Sequence, residues 1–338
     1  MFQPNYQLNP LILSNITQID RFYGQLEGLR LPKKLELNLE SKNLIQSSYV
    51  SNSIEGNPLS LLEVTNLLLG DRVAVNRDEK EIINYFNILS NLTFDKPLNF
   101  KTILEIHKDL MKGVEDNIAG QIRDKRIVVG KYVEKEGKVD VKVKHEPPFH
   151  SKLKIEIALE DLLQWLDSND KMPISLKAGI FHHQFVYIHP FEDGNGRTCR
   201  LLTALIFLKS KYLINKYFVI DDYYDIDRLQ YSDMLHTADL GDSTKWLEYF
   251  TDGVKFSMQS ALEKAKNSLT TLNIQDRLSE REEKVLRIIQ QKGEITSAMI
   301  ATQLKVSRQQ AHNILSALLD KGFIKKEGST KSSYYKIT

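Results

Sequence analysis

The stretch His189-Pro190-Phe191-Glu192-Asp193-Gly194-Asn195-Gly196-Arg197-Thr198-Cys199-Arg200 carries more chemistry than any other part of this chain. It holds a base, a carboxylate, two glycines flanking an amide, and two arginines. Gly194 and Gly196 tolerate backbone conformations closed to other residues. Their N–H groups can converge on an anion as a nest. If the segment opens a helix, the helix dipole favours the same anion. Arg197 and Arg200 are three residues apart, so on a helix they project on one side and can grip phosphate oxygens bidentately. Asp193 is an oxygen ligand of the kind Mg²⁺ prefers when it bridges phosphates. Asn195 offers a phosphate oxygen a contact without charge. A histidine ordinarily titrates near neutrality, so His189 is expected to suit a general base acting on a hydroxyl. Taken singly, each residue has an ordinary structural reading. Taken together they match phosphate chemistry, which rests on positioning and electrostatics. Pro190 and Phe191 read as a helix stop and a core anchor, and Cys199 as packing.

The flanks of this stretch set the fold class. Ala178, Phe181, Phe185 and Ile188 form a helical apolar stripe before it, and Leu201, Leu205, Leu208 and Tyr212 form one after it. The stretch is therefore a loop between two buried helices. Leu104, His107, Leu110 and Met111 repeat the helical period, as do Ile155, Leu159, Leu162 and Leu166. The exception is 126–143, Val-rich and alternating, with a turn expected at Glu136-Gly137-Lys138. The fold class is thus mainly α with a small β-hairpin.

The chain has 338 residues, 41% of them hydrophobic and 27% charged, the balance of a soluble globular protein of about two domains. Cys199 is the single cysteine, so no intrachain disulfide forms. The first residues lack a basic and apolar leader, no apolar run approaches a bilayer span, and a cytoplasmic location is expected. The net charge is +2, but residues 279–338 carry eleven Lys and Arg against six Asp and Glu, leaving the rest of the chain at −3. That asymmetry points to the tail as a candidate nucleic-acid contact.

The tail reads as a separate unit. Ser279 and Glu282 form a capping-box pattern. Helices are expected after Ser279, over Ser297 to Leu304 and over Ser307 to Leu319, followed by strands at 323–327 and 333–337. Three helices and a hairpin resemble a winged helix-turn-helix. The boundaries expected are an N-terminal helical region 1–88, a core 89–255, a helical connector 256–278 and the winged helix at 279–338.

The decisive stretch matches the signature H-P-F-x-[DE]-G-N-G-R-x-x-R, and the chain resembles the Fic (filamentation induced by cAMP) family over roughly 40–250, including His182, Phe185, Ile188 and Gly120-Gln121-Ile122-Arg123. The resemblance implies a helical core that transfers AMP from ATP to a Ser, Thr or Tyr hydroxyl of a protein. It implies His189 as base, Asp193 as Mg²⁺ ligand, and Gly194, Asn195 and Gly196 as anion hole. Arg197 and Arg200 would hold the terminal phosphates. The hairpin would be the flap that docks the target by strand addition. Members that transfer a phosphoryl group usually carry Lys at the place of Gly196, which argues against that chemistry here. In the segment from Leu229 to Leu235 the family usually has two adjacent tyrosines. Here the second is Ser232, so Tyr231 fits a nucleobase contact or packing alike. His182 reads as a buried, hydrogen-bonded histidine.

Ser51-Asn52-Ser53-Ile54-Glu55-Gly56-Asn57 resembles the family's inhibitory motif, on a helix expected at about 42–56. The resemblance implies an ion pair between Glu55 and Arg200 that competes with the γ-phosphate. A carboxylate satisfies the same guanidinium fork that a phosphate needs. The resemblance also implies self-modification and is compatible with a homodimer. Arg308, Gln309, Gln310, His312 and Asn313 are residue types that read a major groove, and Lys325, Lys326 and Lys331 suit backbone contacts on a wing. Two other functions fit the chain: hydrolysis of AMP from a modified protein, and a DNA-binding regulator whose core senses nucleotide.

Overall fold

In the computed structural model the described residues are 2–70, 73–135, 138–169, 171–213, 218–270, 278–328 and 333–338, with 131–142 and 270 described by backbone alone. The chain divides into two units, one of Met1–Gly28 with Glu40–Lys264 and one of Leu29–Leu39 with Ala265–Thr338.

The first unit is helical apart from one hairpin. Its helices are α1 (Pro10–Gly28), α2 (Lys33–Ile54, which begins in the second unit), α3 (Leu61–Leu69), α4 (Arg77–Ser90) and α5 (Phe100–Met111). Strands β1 (Val129–Lys135) and β2 (Lys138–His145) follow, then α6 (Lys152–Ser168), α7 (Ile174–Ile188) and α8 (Asn195–Lys209). The unit closes with α9 (Asp221–Ile226), α10 (Arg228–Thr237), a 3₁₀ turn (Ala238–Leu240) and α11 (Thr244–Thr270).

Helices α7 and α8 are buried on nearly every face, as helices at the centre of a core are. Phe181, Phe185 and Ile188 of α7, and Leu201, Leu205 and Phe207 of α8, are fully buried. The loop between them is therefore fixed from both sides. Polar side chains initiate several helices around it. Asn76 caps α4 and Asn99 caps α5, each accepting a backbone N–H, and Ser60 and Glu63 make a capping box on α3.

The hairpin pairs antiparallel from Val129↔His145 to Lys135↔Lys138, so β2 runs two residues beyond the expected end. The expected turn at Glu136 and Gly137 lies outside the described residues. Helix α2 starts at Lys33, well before the expected 42. The connector expected from 256 begins inside α11, where Val254, Met258 and Leu262 keep the apolar phase set by Trp246, Leu247 and Phe250, and the second unit takes over at Ala265.

The second unit contains α12 (Glu280–Lys292), α13 (Ser297–Leu304), α14 (Arg308–Asp320), β3 (Ile324–Glu327) and β4 (Tyr334–Ile337). The capping box of Ser279 and Glu282 is present, and Ser307 with Gln310 makes a second one at the start of α14. Strands β3 and β4 pair antiparallel, Ile295 bridges to Tyr335, and Leu286, Ile289, Ile300, Leu315 and Phe323 fill the core. This is the winged helix expected from the sequence. Lys331 lies outside the described residues.

Candidate active site

Gly194 sits at the N-terminus of α8 with φ of 73°, a left-handed conformation that disfavours a side chain. The N–H groups of the first turn of α8 find no carbonyl within the helix, as at any helix start. The loop is shaped by its own side chains. Asn195 donates from Nδ2 to the Phe191 carbonyl at 2.9 Å, and its Oδ1 accepts the Phe191 N–H at 2.9 Å. Its side chain therefore braces the loop, and only its backbone is left for an anion. Phe191 is fully buried and stacks on His107 at 3.6 Å between ring centroids, confirming it as the anchor. Burying such a ring contributes roughly 2–3 kcal/mol.

His107, on α5, is a tie that the sequence did not reveal. Its Nδ1 accepts the Gly120 N–H at 2.9 Å, so Nε2 carries the proton and donates to the Asp193 carbonyl at 3.0 Å. Arg123 is a second. It donates to the carbonyls of Ile188, His189 and Lys125, satisfying the exposed end of α7.

His189 closes α7 in a left-handed conformation, φ 50°. Its Nδ1 lies 3.2 Å from the Val186 carbonyl, so Nδ1 carries the proton and Nε2 keeps its lone pair. Burial pushes its pKa down to about 3, and the neighbouring Arg123 charge acts the same way. The imidazole is thus neutral at physiological pH with one basic nitrogen. His189 lines a cleft of about 540 Å³ together with Gly196, Arg200, Glu55, His145 and Tyr231.

Both arginines of the loop are buried and paired. Arg200 donates from Nη2 to Glu55 Oε1 at 2.7 Å and to the Ser51 carbonyl at 2.8 Å, and from Nε to Ser51 Oγ at 2.6 Å. Glu55 also lies directly over Gly196, where an added Cβ would overlap its Oε1. Arg197 meets Glu81 of α4 at 3.2 Å and Asn52 of α2 at 3.4 Å. Ser47, Ser48, Ser51, Asn52 and Ser53 make the end of α2 a buried polar face, stable because these groups find partners in the site and along the helix. Arg228 of α10 holds the end of that face through the Ser53 carbonyl at 2.6 Å and Ser53 Oγ at 2.7 Å.

Asp193 is half-exposed. Its Oδ2 accepts from Arg77 of α4 at 3.1 Å, and Oδ1 lies 3.6 Å from Arg197 Nη2. A single accessible carboxylate beside an anion-binding turn fits Mg²⁺, which takes few protein ligands and completes its shell with phosphate and water. Tyr231 is buried, stacks on Tyr224 at 4.3 Å, and meets His182 Nε2 through its hydroxyl at 2.9 Å. His182 also contacts Thr203 Oγ1 at 3.0 Å, as expected of a buried, bonded histidine. The sequence did not reveal Arg77, Glu81 and Arg228. They are ordinary surface-type residues until the fold brings them to the loop.

A buried neutral histidine beside the glycine-rich start of a helix is the arrangement on which the comparisons with known proteins bear. Residues 97–207 match the Fic/DOC family model, so the chain carries a Fic domain. Residues 277–338 match the model "Sugar-specific transcriptional regulator TrmB". The chain is 31% identical over 230 residues to a protein adenylyltransferase Fic of Aedes aegypti, covering 63% of this chain and 40% of that one. It is 28% identical over 231 residues to protein adenylyltransferase fic-1 of Caenorhabditis elegans, covering 65% and 41%. It thus spans about two fifths of the length of these curated relatives. A Fic family protein from Desulfovibrio desulfuricans G20 superposes with a TM-score of 0.66 at 25% identity, covering 100% of this chain and 98% of that one. Fic-1 of C. elegans (residues 134–508) shares the fold, with a TM-score of 0.60 at 23% identity over 76% of this chain and 74% of that one. Among the described residues no helix is long and apolar enough to cross a membrane.

Proposed function

We propose that this chain is a protein adenylyltransferase that moves AMP from ATP to a Ser, Thr or Tyr hydroxyl of a protein, itself included. In this reading His189 Nε2 takes the hydroxyl proton. The freed oxygen attacks the α-phosphorus, the bond to the β-phosphate breaks, and pyrophosphate leaves. Arg197, Arg200 and the first-turn N–H groups of α8 hold the leaving phosphates. Asp193 would hold Mg²⁺, which neutralises phosphate charge when bound. The observation that carries the reading is His189, whose Nδ1 is committed to Val186 so that its one basic nitrogen is kept for the cleft.

We also propose that Glu55 restrains the activity. It occupies Arg200 and overlies Gly196, so a γ-phosphate and Glu55 compete for one guanidinium. Incubation with labelled Mg-ATP followed by mass spectrometry tests both readings. Glu55→Gly is expected to raise self-labelling several-fold, and His189→Ala to abolish it while nucleotide still binds. Labelling that survives in His189→Ala excludes His189 as the base. Release of AMP from a pre-labelled protein, with no forward transfer, would point to the hydrolytic direction.

For the second unit, we propose contact with duplex DNA. Arg308, Gln309, Gln310, His312 and Asn313 are all exposed at the start of α14. That is the part of a recognition helix that reaches base edges.

A further inference from the structure

Four titratable side chains beside the active-site cleft belong to neither the base nor the anion site. Asp239, in the 3₁₀ turn, is approached by three histidines. His145 Nδ1 lies 2.7 Å and His236 Nδ1 2.9 Å from the same oxygen, Oδ2. His183 Nε2 lies 2.9 Å from the other oxygen, Oδ1. One donor atom each from His145, His236 and Asp239 falls within 4.8 Å of the others. His145 is buried, while His236 and Asp239 are partly so.

Three imidazoles converge on one carboxylate, and two of them address the same oxygen. The His145 Nε2 faces the Tyr187 carbonyl at 3.1 Å, so the tautomer with its proton there leaves the Nδ1 lone pair to bind a cation. The ligand types favour a cation with nitrogen affinity. Two imidazoles and one carboxylate form a set that binds Zn²⁺, whereas Mg²⁺ and Ca²⁺ prefer oxygen alone. The outer contacts follow the same pattern. Zinc-bound histidines donate their second N–H to a carbonyl or carboxylate, as His145 does to Tyr187, and His183 fixes the free oxygen of Asp239. Tetrahedral bonds of about 2.0–2.1 Å separate ligand atoms by about 3.3 Å. The observed 2.7 and 2.9 Å separations need to open by only about half an ångström.

We propose that His145, His236 and Asp239 form a Zn²⁺ site, with His183 as a positioning residue and a fourth position left for water or a substrate group. His145 ends β2, so the ion would fasten the base of the hairpin to α10 and the 3₁₀ turn. His145 and His236 also line the cleft into which His189 opens, and the His145 and His189 ring centroids are 6.4 Å apart. The ion would thus stand at the hydroxyl-acceptor side, separate from Asp193 and the phosphates. The inference rests on the ligand geometry and not on the adenylyl-transfer reading.

The test uses the full chain without nucleotide. Zinc is titrated against a chromophoric chelator, and Co²⁺ is substituted to read visible d–d bands. One Zn²⁺ per chain is expected, with a tetrahedral Co²⁺ spectrum and a raised melting temperature. His183→Gln, which removes only the orienting bond, is expected to weaken binding by about 10–100-fold. His236→Ala and Asp239→Asn, which remove ligands, are expected to weaken it further and to abolish the Co²⁺ bands. Far-UV circular dichroism confirms that each variant is folded. No stoichiometric zinc, or binding unchanged in folded His236→Ala and Asp239→Asn, overturns the proposal. An NMR titration that finds both His145 nitrogens protonated in the presence of zinc overturns it too, because the proton then fills the place of the ion.

Discussion

Arg200 is held by two oxygens of Ser51 and one of Glu55, and the three bonds do not weigh equally. The Glu55 side chain is 37% exposed on the cleft while that of Arg200 is 1% exposed, so on loss of Glu55 water from the cleft takes the place of its carboxylate on the buried guanidinium. Glu55→Gly is expected to cost about 1 kcal/mol, because the guanidinium keeps both Ser51 partners. Ser51→Ala leaves Arg200 Nε buried without an acceptor and is expected to cost about 1–3 kcal/mol. Activity is expected to rank the other way, since Glu55 and not Ser51 overlies Gly196. Thermal melts and self-labelling of the two variants check this crossing. If Ser51→Ala labels more strongly than Glu55→Gly, the restraint does not lie in the carboxylate. The buried histidines give a second expectation at this scale. Burial pushes His107 down to about 4, and His182 and His189 to about 3. Unfolded, each binds a proton near pH 6.5. The unfolded state therefore binds more protons between about pH 6.5 and 3, and stability is lost as pH falls through that window. Asp221 opposes this: burial raises it to about 6, so between about pH 4 and 6 the folded state holds one proton more there. Asp222 is raised by burial in the same direction, so three histidines against two carboxyls leave a net of about one to two protons, a slope of about 1.4–2.7 kcal/mol per pH unit. Urea midpoints at pH 7, 6 and 5 should fall steadily, and a flat profile would mean that these histidines are charged in the fold.

At the scale of elements, legibility followed the locality of the signal. Helix α8 and its loop were readable because twelve consecutive residues carry the glycines, arginines and base of one site. The inhibitory end of α2 was readable for a similar reason: Ser51 and Glu55 are one helical turn apart, and Gly56 with φ of 95° ends the turn. Helix α4 was not readable as part of the site. Arg77 and Glu81 form an i,i+4 pair like those of many solvated helices. Only folding places them on Asp193 and Arg197. The bounds of the flap shifted, from the expected 126–143 to 129–145, because His145 belongs to the strand by backbone pairing, while its side chain answers to Asp239. Arg228 was invisible for the same kind of reason: beyond its local pair with Asp225, its partners are a backbone carbonyl and a hydroxyl 175 residues earlier. It nonetheless satisfies the last turn of α2, where carbonyls lack helical partners. Arg228→Ala is expected to leave the Glu55–Arg200 pair formed but to loosen the end of the helix. Amide exchange of residues 51–57 should speed up about tenfold, and self-labelling should rise less than in Glu55→Gly. Unchanged exchange would mean that Ser53 is held by its other packing alone.

At the scale of the whole molecule, the chain joins a Fic domain to a winged helix, and the two units differ in charge as the sequence showed. Residues 29–39 group with the tail, so a boundary drawn at 279 divides the second unit. Within that unit Lys34 stands over the Phe323 ring at 5.2 Å and donates toward the Lys321 carbonyl at 3.5 Å. DNA binding is therefore best measured on the full chain. The wing contributes less charge than its sequence suggests, because Lys325 and Lys336 both pair with Glu327, at 3.1 and 3.2 Å. Lys326 of the wing and Arg308 of α14 remain exposed, and they are the cations with which to test a phosphate contact. Binding to duplex DNA is expected to weaken as salt rises, with a log–log slope of about −0.9 for each phosphate neutralised. Lys326→Ala should reduce that slope by about one for every sequence tried. Gln309→Ala should leave the slope alone and flatten the preference among sequences, if that side chain reads a base edge. Fluorescence anisotropy across a salt series separates the two effects. No binding at low salt would assign the exposed face of α14 to a protein partner, since the same exposed residues would then have no phosphate to meet.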